Sequence, residues 1–63
     1  MANNLRKIRM EQGLSQVELA EKSGVTRQTI IKIESDNPPP IKTPTLVKLA
    51  DALNCSVADV FFD

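Results

Sequence analysis

The stretch that decides the fold is SQVELAEKSGVTRQTIIKIE, residues 15 to 34. It opens with a capping box, in which the Ser15 hydroxyl can accept a hydrogen bond from the backbone N–H of Glu18 and the Glu18 carboxylate can reach back to Ser15. Gly24 favours the left-handed conformation that ends a helix, and Thr26 is a typical N-cap for the next one. Because the linking turn is so short, the sequence predicts that the two helices cross sharply instead of lying antiparallel.

The helix that follows Thr26 has two different faces. At about 100° per residue, Ile30 and Ile33 fall on one side and are predicted to pack on the core. The opposite side is predicted to be exposed, and it carries Arg27, Gln28, Ile31 and Lys32. An isoleucine among cationic and amide side chains could contact another molecule, or it could be a single exposed apolar residue, which is ordinary on protein surfaces.

Three further helices are predicted outside this stretch. One runs from about Asn4 to Gln12, one begins with Thr43 as N-cap and Pro44 in its first turn, and a short one begins at Ser56. The helix after Thr43 carries an apolar stripe at helical spacing, formed by Leu46, Leu49, Ala50 and Leu53. These patterns predict helices joined by turns or loops, and no strand.

Three consecutive prolines, residues 38 to 40, separate the third helix from the fourth. Proline lacks a backbone N–H and favours extended backbone, so this segment is predicted to be a stiff connector. No repeat or second set of elements is visible. Residues 1 to 63 are therefore predicted to form one all-α domain of five helices.

Composition narrows the range of functions. The net charge is zero, but residues 1 to 32 hold six basic against three acidic residues, and residues 33 to 63 hold two against five. Cys55 is the only cysteine and histidine is absent, so no disulfide and no His/Cys zinc site is expected. We expect no metal, cofactor, small-molecule ligand or catalytic activity. With no membrane-spanning run and no signal-peptide pattern, we expect a cytoplasmic protein.

The helix pair and its flanks resemble the Cro/C1-type (XRE) helix-turn-helix family of transcriptional regulators. The resemblance rests on Arg9, GLSQ at 13–16, ELA at 18–20, Gly24, RQTI at 27–30, Ile33–Glu34 and LVKLADALNCSVADVF at 46–61. It implies a compact five-helix domain of the lambda repressor-like DNA-binding type, with the helix-turn-helix formed by the second and third helices. It also implies a sequence-specific regulator that binds duplex DNA and acts as a repressor.

The same resemblance implies roles for individual residues. Base reading in the major groove is expected from Arg27, Gln28, Ile31 and Lys32. Contacts with DNA phosphates are expected from Ser15, Gln16, Thr26, Thr29, Ser35 and Lys42. Arg9 and Glu34 are expected to form an ion pair that ties the first helix to the end of the third.

The expected partner is double-stranded DNA with a palindromic operator, bound by a homodimer whose two-fold axis matches the half-sites. Phe62 marks the acidic C-terminal half as the candidate dimer surface. The proline segment replaces a basic stretch that often contacts phosphate in the family, and it leaves only Lys42 there. This departure and the zero net charge leave an alternative open, in which the fold is a protein-interaction module, such as an antitoxin-like partner.

Overall fold

A computed structural model describes residues 3–62, which form five helices and no strand. The helices are α1 (Leu5–Glu11), α2 (Gln16–Ser23), α3 (Arg27–Ile33), α4 (Thr43–Ala52) and α5 (Val57–Phe61). Helix α2 packs against both α3 and α4, and α5 packs against α4 and α1. The predicted all-α, five-helix fold is confirmed.

One apolar core is shared by all five helices. Its fully buried side chains are Leu5, Leu19, Ile30, Ile33, Leu49, Leu53 and Val60. Each helix contributes at least one of them, although the helices are too short to be stable alone. The fold therefore depends on this shared core, and the orientation of α3 is set by the two isoleucines that it places there.

Local capping determines where α2 and α5 begin. The Ser15 hydroxyl accepts from the Glu18 N–H at 3.0 Å, and the Glu18 carboxylate accepts from the Ser15 N–H at 2.9 Å. Ser56 and Asp59 repeat this reciprocal arrangement at α5, at 3.0 and 3.2 Å. Each box satisfies two backbone donors that a helix start leaves open.

Two helix boundaries differ from those predicted. Helix α4 begins one residue early, with Lys42 instead of Thr43 as its N-cap, because the Lys42 carbonyl accepts from the N–H groups of Thr45 and Leu46. Helix α3 ends at Ile33, not near Ser35. Here the Ser35 N–H and hydroxyl both donate to the Lys32 carbonyl, at 3.2 and 2.6 Å, which tightens the chain into a turn.

The segment before α1 is joined to two distant parts of the chain. The Asn4 N–H donates to the Val60 carbonyl at 2.8 Å, which links this segment to α5. The Asn3 side-chain amide donates to the Ile33 carbonyl at 3.0 Å. This second bond satisfies one of the carbonyls left open at the end of α3, so residues before α1 help to fix the end of α3.

Candidate nucleic-acid interface

The turn between α2 and α3 sets the angle at which α3 leaves the domain. Gly24 has φ +77°, and its N–H donates to the Ala20 carbonyl at 2.9 Å. The Ser23 hydroxyl accepts from the Val25 N–H at 3.1 Å, and Val25 is buried. The Ser23 side chain thus hydrogen-bonds to the backbone of the turn, and Val25 is the residue of the turn that is buried in the core.

Helix α3 is anchored on one side and exposed on the other. Ile30 and Ile33 are 0% and 1% exposed. The side chains on the opposite side are exposed, as the helical spacing predicted: Arg27, Gln28, Ile31 and Lys32. Ile31 is 43% exposed, so it is not a core residue. The exposed face combines a guanidinium, an amide and an apolar side chain, which are groups that can recognise base edges and thymine methyls.

An ion pair holds the end of α3. Arg9 Nε donates to Glu34 Oε2 at 2.7 Å, and Arg9 Nη2 donates to Glu34 Oε1 at 3.0 Å. The side chains of Arg9 and Glu34 are only 11% and 5% exposed. The hydrogen bond to Glu34 raises the pKa of Arg9, although burial acts in the opposite direction. The expected pair is therefore present, and it is bidentate and largely shielded from water.

Two more groups belong to this ion pair. Arg9 Nη1 donates to the Leu14 carbonyl at 2.7 Å, in the loop that leads to α2. The Gln16 side-chain amide donates to Glu34 Oε1 at 3.2 Å. The network thus joins α1, the start of α2 and the end of α3. The family resemblance implies the Arg9–Glu34 pair, but the part played by Gln16 and Leu14 depends on how the helices cross and has no local signal.

The residues expected to contact phosphate differ in the hydrogen-bonding capacity that they have left. The Ser15 hydroxyl accepts from the Glu18 N–H, so its own O–H can still be donated. The hydroxyls of Thr26 and Thr29 lie 2.8 Å apart, and one of them donates to the other. The Ser35 O–H is already donated to the Lys32 carbonyl. Among these hydroxyls, Ser15 is best able to bind an anion and Ser35 would first have to break a bond.

A cleft runs along the side of α3 that faces the proline segment. Its volume is about 210 Å³. It is lined by Thr29, Lys32 and Ile33 on α3 and by Pro39, Pro40, Ile41, Lys42 and Thr45 on the other wall. The prolines thus bring Lys42 to the same cleft as Lys32, although ten residues separate them in the chain.

A second depression, of about 250 Å³, lies on the other side of the proline segment. It is mainly apolar and is lined by Asn3, Pro38, Pro39, Ile41, Leu46, Phe61 and Phe62. Phe62 is 60% exposed, and Phe61 is partly buried against the core. The phenyl ring of Phe62 therefore extends an apolar surface that is open to a partner.

Residues 3–62 contain no group of three histidine, cysteine or acidic side chains that could hold a metal ion. Cys55 is half-buried against the core, and its thiol lies 3.3 Å from the Leu53 carbonyl. Within the same residues, no helix has the length and apolar character needed to cross a bilayer.

Comparison with known proteins agrees with this architecture. A family model described as "Helix-turn-helix" matches residues 5–60, which is most of the chain. A protein of Methanothermobacter thermautotrophicus described as "Uncharacterized HTH-type transcriptional regulator" is 59% identical over 34 residues. That match covers 54% of this chain and 49% of the relative, so it spans about half of each protein. The chain therefore belongs to the Cro/C1-type (XRE) family of helix-turn-helix proteins.

Proposed function

We propose that this protein is a transcriptional repressor that binds a specific duplex DNA sequence by placing α3 in the major groove. One observation carries the proposal: α3 exposes Arg27 and Gln28 on the side opposite its two buried isoleucines. Arginine can pair bidentately with guanine and glutamine with adenine. Ile31 lies between these two on the helix surface, where it could contact a thymine methyl.

Contacts with the phosphates of the DNA backbone would come from residues around this face. Ser15 and Gln16 lie at the start of α2, where helix N–H groups favour phosphate. Thr26 caps α3, Thr29 lies in its first turn, and Ser35 follows its end. Lys42 would approach the backbone from the proline segment. Such contacts fix the register of a protein on DNA without reading the sequence.

A palindromic operator and a homodimer form part of the proposal. The Cα trace of the domain extends 22 × 21 × 20 Å, whereas half-sites one helical turn apart lie about 34 Å from each other. One copy is too small to occupy both half-sites. The apolar depression beside Phe62 would supply the contact between two copies. A cytoplasmic location is also part of the proposal.

Selection of bound sites from random duplex DNA at defined salt tests the function directly. We expect an enriched sequence with two-fold symmetry. Arg27→Ala and Gln28→Ala should each weaken binding to that site by about 1–3 kcal/mol and relax the preference at one base position. Lys7→Ala is the matched control, because it removes an exposed cation on α1, outside the helix pair. Failure to enrich any sequence would reject the proposal.

The dimer is tested separately by sedimentation equilibrium. Phe62→Ser should shift the protein toward the monomer. Met10→Ser is a suitable control, because Met10 is 58% exposed, close to the 60% of Phe62, but lies on α1. A parent protein that stays monomeric at high concentration and on its operator would rule out the dimer.

An interaction module that binds a protein instead of DNA is the second candidate. The apolar depression and the exposed Phe62 favour it, because a contiguous exposed apolar surface is typical of a protein-interaction site. Absence of sequence enrichment, combined with capture of a partner that Phe62→Ser abolishes, would favour this candidate over the repressor.

A further inference from the structure

The cleft between α3 and the proline segment is too small for a small-molecule effector. Its volume is about 210 Å³, below the roughly 300–1,000 Å³ of typical ligand pockets. It is also open at the surface, and the exposed residues Lys32 and Lys42 both line it. A group that enters between them must be small and negatively charged.

The charges around this cleft favour an anion. In residues 3–62 the only salt bridge joins Arg9 and Glu34, so neither Lys32 nor Lys42 has a carboxylate partner there. Among residues 3–62, no acidic residue lines the cleft, whereas the hydroxyl-bearing Thr29 and Thr45 do. Two ammonium groups that share a cleft without a counter-ion repel each other, and a phosphate between them would remove this repulsion.

The position of Lys32 on α3 separates it from the reading face. Taking Arg27 as 0°, Ile31 lies at about 40° and Gln28 at about 100°, whereas Lys32 lies at about 140°, next to the cleft. Its neighbours on the cleft side are Thr29 and Ile33, which share the cleft with it. Lys32 is thus placed at the edge of the helix that faces Lys42.

We propose that Lys32 and Lys42 together hold one phosphate of the DNA backbone in this cleft, so that Lys32 positions α3 and does not read a base. The proposal rests on the DNA-binding function proposed above and assigns Lys32 a different role from the base reading that the resemblance implied. The stiff proline segment brings Lys42 to α3. On this proposal, one phosphate held by two lysines takes the place of the basic stretch that the resemblance leads us to expect after α3.

The dependence of binding on salt measures the number of phosphate contacts. The affinity of the full chain for its selected duplex is measured between 50 and 200 mM salt. The proteins compared are the parent, Lys32→Ala, Lys42→Ala, the double variant and the control Lys7→Ala. Each phosphate contact contributes about 0.9 to the slope of log K against log salt. We expect both single variants to flatten the slope and the double variant to lose about 0.9 in total, with no change for Lys7→Ala.

Repeating site selection with Lys32→Ala gives the second measurement. Base preference should be unchanged at every position, and Lys32→Arg and Lys42→Arg should restore the parent slope. Urea midpoints should equal that of the parent, because both lysines are exposed. Relaxed preference at one base with an unchanged slope would show that Lys32 reads a base. A double variant that loses about 1.8 would show two separate phosphates. Both results leave the DNA-binding function standing, whereas a parent that selects no sequence rejects both proposals.

Discussion

Replacing Arg9 with methionine should destabilise the protein severely. Arg9 donates three hydrogen bonds, two to the Glu34 carboxylate at 2.7 and 3.0 Å and one to the Leu14 carbonyl at 2.7 Å. In Arg9→Met the carboxylate, whose side chain is 5% exposed, keeps only the bond from Gln16. Removing one partner of a buried pair costs about 3–5 kcal/mol. A core of this size rarely supplies more than about 3–5 kcal/mol, so folded and unfolded molecules should become comparably populated at 25 °C.

Urea denaturation followed by circular dichroism measures this effect. With an m value of about 1 kcal/mol/M, a loss of 3 kcal/mol moves the midpoint by about 3 M. Arg9→Lys is the intermediate variant, because lysine keeps the charge but cannot form the paired hydrogen bonds of a guanidinium. Its urea midpoint should therefore lie between those of the parent and Arg9→Met. The reasoning would be refuted if Arg9→Met cost less than about 1 kcal/mol, because that is the value of an exposed ion pair.

Three further predictions concern the turns and caps. Ser15→Ala and Ser56→Ala should each lower the free energy of unfolding by about 1 kcal/mol, because each removes an N-cap. Only Ser15→Ala should also weaken DNA binding in a fluorescence titration. If both variants lost the same affinity for DNA, Ser15 would not be a phosphate contact. Gly24→Ala should lower the free energy of unfolding, measured by urea denaturation, by about 1–2 kcal/mol. The cost comes from the left-handed backbone, because φ is +77° and an added Cβ would meet no described atom within 4 Å. Asn54→Gly is the comparison, because Asn54 also has a positive φ, 56°, and glycine there should cost nothing comparable. The hydrogen bond from the Ser15 N–H lowers the pKa of Glu18 below its ordinary 4.5. The resulting stability is present above that value and is lost as pH falls through the lower folded pKa. Glu18→Gln should therefore lose less stability than the parent as the solution is acidified below about pH 4.5, and identical acid profiles would contradict this.

Most of the fold could be predicted because its signals are local. Ser15 and Ser56 each form a capping-box pattern with an acidic residue three positions later, which predicts a helix start. Gly24 predicts a turn, because glycine readily adopts the left-handed conformation. The sequence predicts the start of α4 one residue too late, because a proline fits either of the first two helical positions and only the bonds to the Lys42 carbonyl decide between them.

The arrangement of the candidate site could be predicted only in part. Helical periodicity separates the exposed Arg27 and Gln28 from the buried isoleucines, since one helix is enough to define its faces. The cleft shared by Lys32 and Lys42 depends on the path of the proline segment, and the bond between Gln16 and Glu34 depends on how α2 crosses α3. Such contacts join parts of the chain that no periodic pattern connects.

Stability alone does not explain why a small domain buries an ion pair. An apolar pair of similar volume is often as stable as a buried ion pair, or more stable, because no charge has to leave water. What the apolar pair cannot supply is direction: Glu34 joins the end of α3 to Arg9 on α1 and to Gln16 at the start of α2. On our proposal, these are the elements that carry base reading and phosphate contact.

The double variant Arg9→Met/Glu34→Leu separates orientation from stability. We expect its urea midpoint to lie well above that of Arg9→Met, because no unpaired carboxylate remains buried. Its affinity for the selected duplex should still fall, since α3 and Gln16 would no longer be held by directional bonds, and base preference should weaken at several positions together. Gln28→Ala is the comparison, because it should relax one position only. A folded double variant that binds the operator as tightly as the parent would mean that apolar packing alone positions α3.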